Sequence, residues 1–171
     1  MNKLRYSFIK LSLVRWLWIV LLVGWMMLIF IKSNEPYQAQ DIRPLLTAWF
    51  PTSSLKNWLP DLEFYYSGDL LTWKEPYILL EFFFRKSAHV TEYAILTILW
   101  FKMLQFTALK RYSLFISPVL AILYAVSDEW HQTYIAGRTG HAIDVTVDSI
   151  GVLIIMFIRL GWCWRNRNKG D

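Results

Sequence analysis

The chain has 171 residues, enough for one compact domain, and 56% of them are hydrophobic and 18% aromatic. A mean hydropathy of +0.31 is high for a soluble protein and ordinary for a chain that crosses a membrane several times. The net charge of +5 sits in residues that flank apolar stretches, not in a soluble basic patch, which argues against nucleic acid as a partner, and the single cysteine, Cys163, excludes an intrachain disulfide.

The first apolar segment predicts a helix over about 13–31, roughly one bilayer crossing. Lys3, Arg5, Lys10 and Arg15 precede it without an intervening acid. The stretch from Lys32 to Pro36 fits a signal-peptidase site poorly, so the segment reads as an uncleaved anchor, with a cleaved signal peptide as the alternative. A long connection follows, from about Lys32 to Phe84, rich in aromatics such as Trp49, Trp58, Tyr65 and Trp73. Pro44, Pro51 and Pro60 divide it into short pieces, which predicts short interfacial helices forming a partial lid. Pro76 suits a first helical position.

Three further helices are predicted over about 77–106, 113–131 and 142–161, each near the length of a hydrocarbon core. Pro118 is expected to kink or loosen the third of the four. Lys102, Lys110 and Arg111 in the second connection, and Arg159, Arg165, Arg167 and Lys169 in the tail, belong in the cytoplasm together with the basic N-terminus. The expectation is therefore an all-α, multi-pass protein over 1–171. Four transmembrane helices form a bundle, both termini are cytoplasmic, and the long aromatic connection is external.

Charges inside spanning segments are costly and mark function by default. Under this topology they gather near the external face. The second helix brings Lys86, His89, Glu92 and Tyr93 at spacings of three and four. The third ends in Asp128, Glu129 and Gln132; the fourth opens with Asp144 and Asp148, with Gly151 one turn on, and Arg138 lies in the loop between them. Five carboxylates face two fixed cations, Lys86 and Arg138, so complete internal pairing is not expected. His131 and His141 read as solvated loop histidines, and Gly151 as a close helix contact.

The chemistry stays open at this point. His89, Glu92, Asp128 and Asp144 are adequate ligands for a divalent metal, although no cofactor is required. A buried carboxylate beside a histidine also suits general acid–base work, and a packing network of ion pairs fits the same residues. No activated serine or cysteine nucleophile and no phosphate loop is evident in the sequence.

The run Phe84-Arg-Lys-Ser-Ala-His-Val-Thr-Glu-Tyr-Ala-Ile-Leu96 resembles the K-x-x-H-x-x-x-Y-x-x-L element of the VanZ-like family. Ser127-Asp-Glu-Trp-His-Gln132, Gly137-Arg138 and Asp144-Val-Thr-Val-Asp148 with Gly151 are similar to its D-E-x-x-Q…R…D-x-x-x-N/D-x-x-G element. The pattern maps onto Lys86, His89, Tyr93, Asp128, Glu129, Gln132, Arg138, Asp144, Asp148 and Gly151; Asp148 stands where many members carry Asn. The resemblance implies a small multi-pass protein of the bacterial cytoplasmic membrane, linked to the cell envelope. The family's namesake is associated with teicoplanin resistance. The expected partner is a membrane lipid headgroup, a lipid-linked envelope precursor or a lipoglycopeptide, held in an outward-facing polar pocket. A proton-coupled transporter or channel subunit and a structural partner protein are the competing readings.

Overall fold

The computed structural model describes the backbone of residues 2–138 and 140–167, and the side chains of residues 12–138 and 140–167. The side chains of Lys3, Arg5, Lys10 and Lys169 lie outside that description. The chain is mostly helical. Four long helices carry it: α1 (Asn2–Ser33), α4 (Pro76–Leu104), α5 (Ser113–Gln132) and α6 (Ala142–Arg167). Two short helices, α2 (Arg43–Trp49) and α3 (Thr52–Trp58), and a hairpin of β1 (Glu63–Tyr66) and β2 (Asp69–Thr72) fill the connection between α1 and α4. The long helices begin and end close to the expected positions. The first starts earlier and the last runs further, to Arg167.

Proline sets the punctuation of the connection. Pro44 lies in the first turn of α2, Pro51 caps α3 and Pro76 opens α4. At those places a missing N–H costs nothing, because the first helical amides have no partner within the helix. Pro118 sits inside α5, which carries on past it to Gln132.

The hairpin corrects the expectation of short helices alone. Its strands pair antiparallel from Glu63↔Thr72 to Tyr66↔Asp69. The two turn residues, Ser67 and Gly68, both have positive φ, 53° and 94°. That is the backbone of a two-residue turn whose twist matches the strands, and glycine adopts it without a steric penalty. Leu71, Phe64 and Tyr66 then pack on Leu79 and Phe82 in the first turns of α4. A lone two-stranded ribbon is marginal in water, so this apolar seat is what holds the hairpin.

α4, α5 and α6 pack on one another, while α1 leans on α4 and, less, on α5. The core between them is Tyr93, Leu96, Leu99, Ala121, Ala125 and Val152, joined by Leu22 and Ile29 of α1. Two indole and phenol groups tie α1 in place. Trp25 Nε1 donates to the Glu92 carbonyl at 3.0 Å and Tyr124 Oη to the Met26 carbonyl at 2.7 Å. The outer faces are apolar, with Leu17, Val20 and Met27 of α1, Val119 and Leu123 of α5, and Ile154, Phe157 and Ile158 of α6 all exposed. Among the described residues two segments are long and apolar enough to cross a membrane, Ser12–Ser33 with mean hydropathy 2.2 and Lys110–Gln132 with 1.2.

Helices α4 and α6 approach closely at Gly151, the close helix contact its place in the sequence suggests. A β-carbon there would fall on the carbonyl oxygen of Val90 in α4. Gly161, in the same helix, has open space around its α-carbon. Gly151→Ala is expected to lower stability by about 1–3 kcal/mol, the usual cost of overpacking, whereas Gly161→Ala should be neutral or slightly stabilising. Unfolding of both variants in mixed micelles, followed by helical circular dichroism, checks the pair.

Candidate functional site

All four long helices contribute to one polar assembly at the end of the bundle where the 34–75 connection lies. It has two parts, a closed network between α4, α5 and α6 and an open cavity beside α1.

In the closed network, Lys86 Nζ lies 2.6 Å from Asp144 Oδ1, linking α4 to α6. The same ammonium sits over the Tyr66 ring at 4.8 Å, and Tyr66 Oη donates to Asp144. The hairpin thus closes the ion pair from above. Burial, then the Asp144 hydrogen bond, then the neighbouring carboxylates push the Tyr66 phenol above its ordinary pKa, so it stays a donor. One turn deeper, His89 Nδ1 faces Asp148 Oδ1 at 3.4 Å, and Asp148 is 2% exposed. From α5, Asp128 Oδ2 accepts from Tyr93 Oη at 3.2 Å and from Gln132 Nε2 at 3.1 Å. Tyr93 itself has no exposed surface. Glu129 Oε1 accepts the backbone N–H of His141 at 2.6 Å, at the entrance to α6. Every carboxylate of the network therefore has a donor, as burial demands.

The cavity has a volume of about 280 Å³ and lies on the α1 side of α4. It is bordered by Lys32 and Glu35 at the end of α1, by Gln40, by Glu81, Arg85, His89 and Glu92 of α4, and by Asp128 and Arg138, over apolar Ile29, Ile42 and Phe84. This corrects the expected pocket. Lys86, Tyr93, Glu129, Gln132, Asp144 and Asp148 form the wall behind the cavity and do not line it; His89, Glu92, Asp128 and Arg138 do.

Several members of the site were not foreseen. Lys32 forms an ion pair with Glu92, so α1 supplies a third fixed cation. Arg85 lies 3.8 Å from Glu81 and over the Tyr37 ring at 4.8 Å. Tyr37 Oη donates to Glu81 at 3.0 Å. Gln40 joins Lys32, Glu35 and Arg138. Lys32 belongs to α1 and Glu35, Tyr37 and Gln40 to the connection, and only the fold brings them to Glu81 and Arg85 on α4. Arg85 alone had a readable signal, being one turn before His89 on α4.

Among the described residues Arg138 is held by neutral acceptors. Nη1 donates to Gln132 Oε1 at 3.0 Å, and Nη2 to the Lys32 carbonyl at 3.2 Å and to Gln40 Oε1. Among the described residues no carboxylate lies within 4.0 Å of it. Burial lowers its pKa from the ordinary guanidinium value, yet it remains a cation at any physiological pH.

His89, Glu92, Asp128 and Asp144 each turn to a different partner, and among the described residues no three His, Cys, Asp or Glu side chains converge on one point. His131 is also corrected. It lies in the last turn of α5, its ring stacked on Phe30 at 4.8 Å with Nε2 buried, not in a solvated loop. His141 is partly buried at the start of α6 rather than free in solvent.

The arrangement of Lys86, His89, Tyr93, Asp128, Gln132, Arg138, Asp144 and Asp148 in one assembly gives the sequence motifs a common structural cause. A family model described as VanZ/LLP1 matches residues 18–163. The chain belongs to the VanZ/LLP1 family. Comparisons with curated proteins and with solved structures return no match. Family membership and the two apolar helices together indicate a membrane protein.

The Lys86–Asp144 pair offers a test of what the network contributes. Removing one partner leaves a partly buried charge alone, which costs up to about 3 kcal/mol, the lower end of the range for fully buried pairs, whereas replacing both by apolar residues is often near neutral. Lys86→Met and Asp144→Leu should each destabilise by that order, and the double variant should recover most of the loss. A double-mutant cycle from unfolding in micelles measures it.

Proposed function

We propose that this VanZ/LLP1 protein is a four-helix, multi-pass protein of the bacterial cytoplasmic membrane that binds the polar group of an amphiphile at the outer leaflet. The amphiphile is a membrane lipid, a lipid-linked envelope precursor or a lipoglycopeptide. In this reading α1, α4, α5 and α6 are the four crossings, and the basic residues near the opposite ends of these helices in the sequence support cytoplasmic termini. The connection of 34–75 and the cavity then face outward.

One observation carries this reading. The cavity joins charged groups, Arg138 and Arg85 among them, to apolar Ile29, Phe84 and Ile42, beside an exposed apolar helix surface. A site that joins charged and apolar lining matches a molecule with a headgroup and a tail. Arginine is the side chain best suited to grip phosphate or carboxylate oxygens. Transport is less well supported. Below the assembly the bundle is filled by Leu96, Leu99, Ala121 and Val152, which give an ion no polar path.

The association of the family's namesake with teicoplanin resistance supports a role in envelope response to lipoglycopeptides. The expected outcome is that Arg138→Ala and Asp128→Asn, at normal abundance in the membrane, reproduce the envelope and teicoplanin-susceptibility phenotype of a deletion. Retention of the wild-type phenotype by both variants would sink the proposal.

A further inference from the structure

The charges lining the cavity do not favour a purely anionic ligand. Three fixed cations stand against four carboxylates. Pairing removes most of them: Lys32 goes with Glu92, and Arg85 with Glu81 at 3.8 Å. Asp128 is held from behind by Tyr93 and Gln132. Three cavity charges are left without an oppositely charged partner among the described residues: Asp128, met only by those neutral donors, and two outside the bundle, the guanidinium of Arg138 and the exposed carboxylate of Glu35.

The last two are not independent. Gln40 lies between them and holds both. Its Oε1 accepts from Arg138 Nη2, and its Nε2 donates to Glu35 Oε2 at 3.3 Å and to the Lys32 carbonyl at 2.5 Å. A single amide thus spaces a fixed cation from a fixed anion in the lining of the cavity. The Arg85 guanidinium adds a second group on the cationic side, with Nε buried and unpartnered.

A ligand that satisfies both charges must carry an anion and a cation a few bonds apart. We propose that the cavity recognises a zwitterionic headgroup of the phosphoethanolamine class, with the phosphate oxygens on Arg138 and Arg85 and the primary ammonium on Glu35. This rests on the reading of the cavity as a headgroup site. A bare phosphate or a glycerol phosphodiester leaves Glu35 uncompensated beside an added negative charge. A quaternary ammonium has no N–H to donate to Glu35. Both are therefore weaker ligands than the primary amine.

Native mass spectrometry of the full chain, with competing dioleoyl lipids of matched tails, tests this. The wild type should retain phosphatidylethanolamine over phosphatidylglycerol and phosphatidylcholine by about tenfold, a difference of roughly 1.4 kcal/mol. Glu35→Gln should reverse the preference in favour of phosphatidylglycerol, an inversion that a folding defect does not produce. Arg138→Gln should weaken both phosphatidylethanolamine and phosphatidylglycerol. Competition by free phosphoethanolamine would show that the headgroup alone suffices; its failure, with the lipid still selected by amine, would place recognition in the bilayer. Either result agrees with the proposal. Equal retention of all three lipids, or an unchanged preference in Glu35→Gln, overturns the zwitterion assignment and leaves the headgroup site standing. If no lipid is retained, both readings fall.

Discussion

A carboxylate drawn into an apolar bundle must be given donors, and that requirement organises one whole end of this protein. Asp144 receives Lys86 and Tyr66; Asp148 receives His89; Asp128 receives Tyr93 and Gln132; Glu92 receives Lys32; Glu129 receives a backbone amide. Each donor comes from a different element than its acceptor, except Gln132, so each pair also fixes a helix against a neighbour or a loop against a helix. The acids are costly alone and orienting in company.

The consequence is a division of labour. Residues that meet between α4, α5 and α6 are consumed by one another and make a rigid wall. Residues on the α1 side of α4 are only partly consumed and make a cavity. His89 and Asp128 stand at the boundary, each presenting one side to the cavity while its other side is held from within the network. A ligand in the cavity would touch groups whose positions are set by contacts it never makes, which is how a small site keeps its geometry.

The sequence carried much of this layout. Apolar length and proline placement located all four long helices, and the spacing of Lys86, His89 and Tyr93 put them on one side of α4. What it could not carry was partnership across the chain. Lys32 looked like a flanking basic residue, and nothing local ties it to Glu92, sixty positions on. The hairpin was hidden in an aromatic stretch whose alternation is weak; only Ser67-Gly68 between Phe64-Tyr65-Tyr66 and Leu70-Leu71 marked a turn. The histidine in the last turn of α5 was read as solvated because its neighbour Phe30 belongs to α1.

The last carbonyls of α1 are met first by the chain that follows: Asn34 N–H donates to Phe30 and Ile31, and Glu35 N–H and the Gln40 side chain donate to Lys32. The Lys32 carbonyl also accepts from Arg138, 106 residues later, so a loop near the end of the chain joins a cap that is otherwise local. During synthesis α1 can take its place against α4 with its terminus already met by Asn34, Glu35 and Gln40, but the cavity lacks Asp128 and Arg138 until α5 has been made and the turn after it has come back across. Completion of the site is therefore coupled to completion of the bundle. A chain stopped after its third long helix has the charges of α4 and α5 in position and lacks the turn that closes them into a cavity.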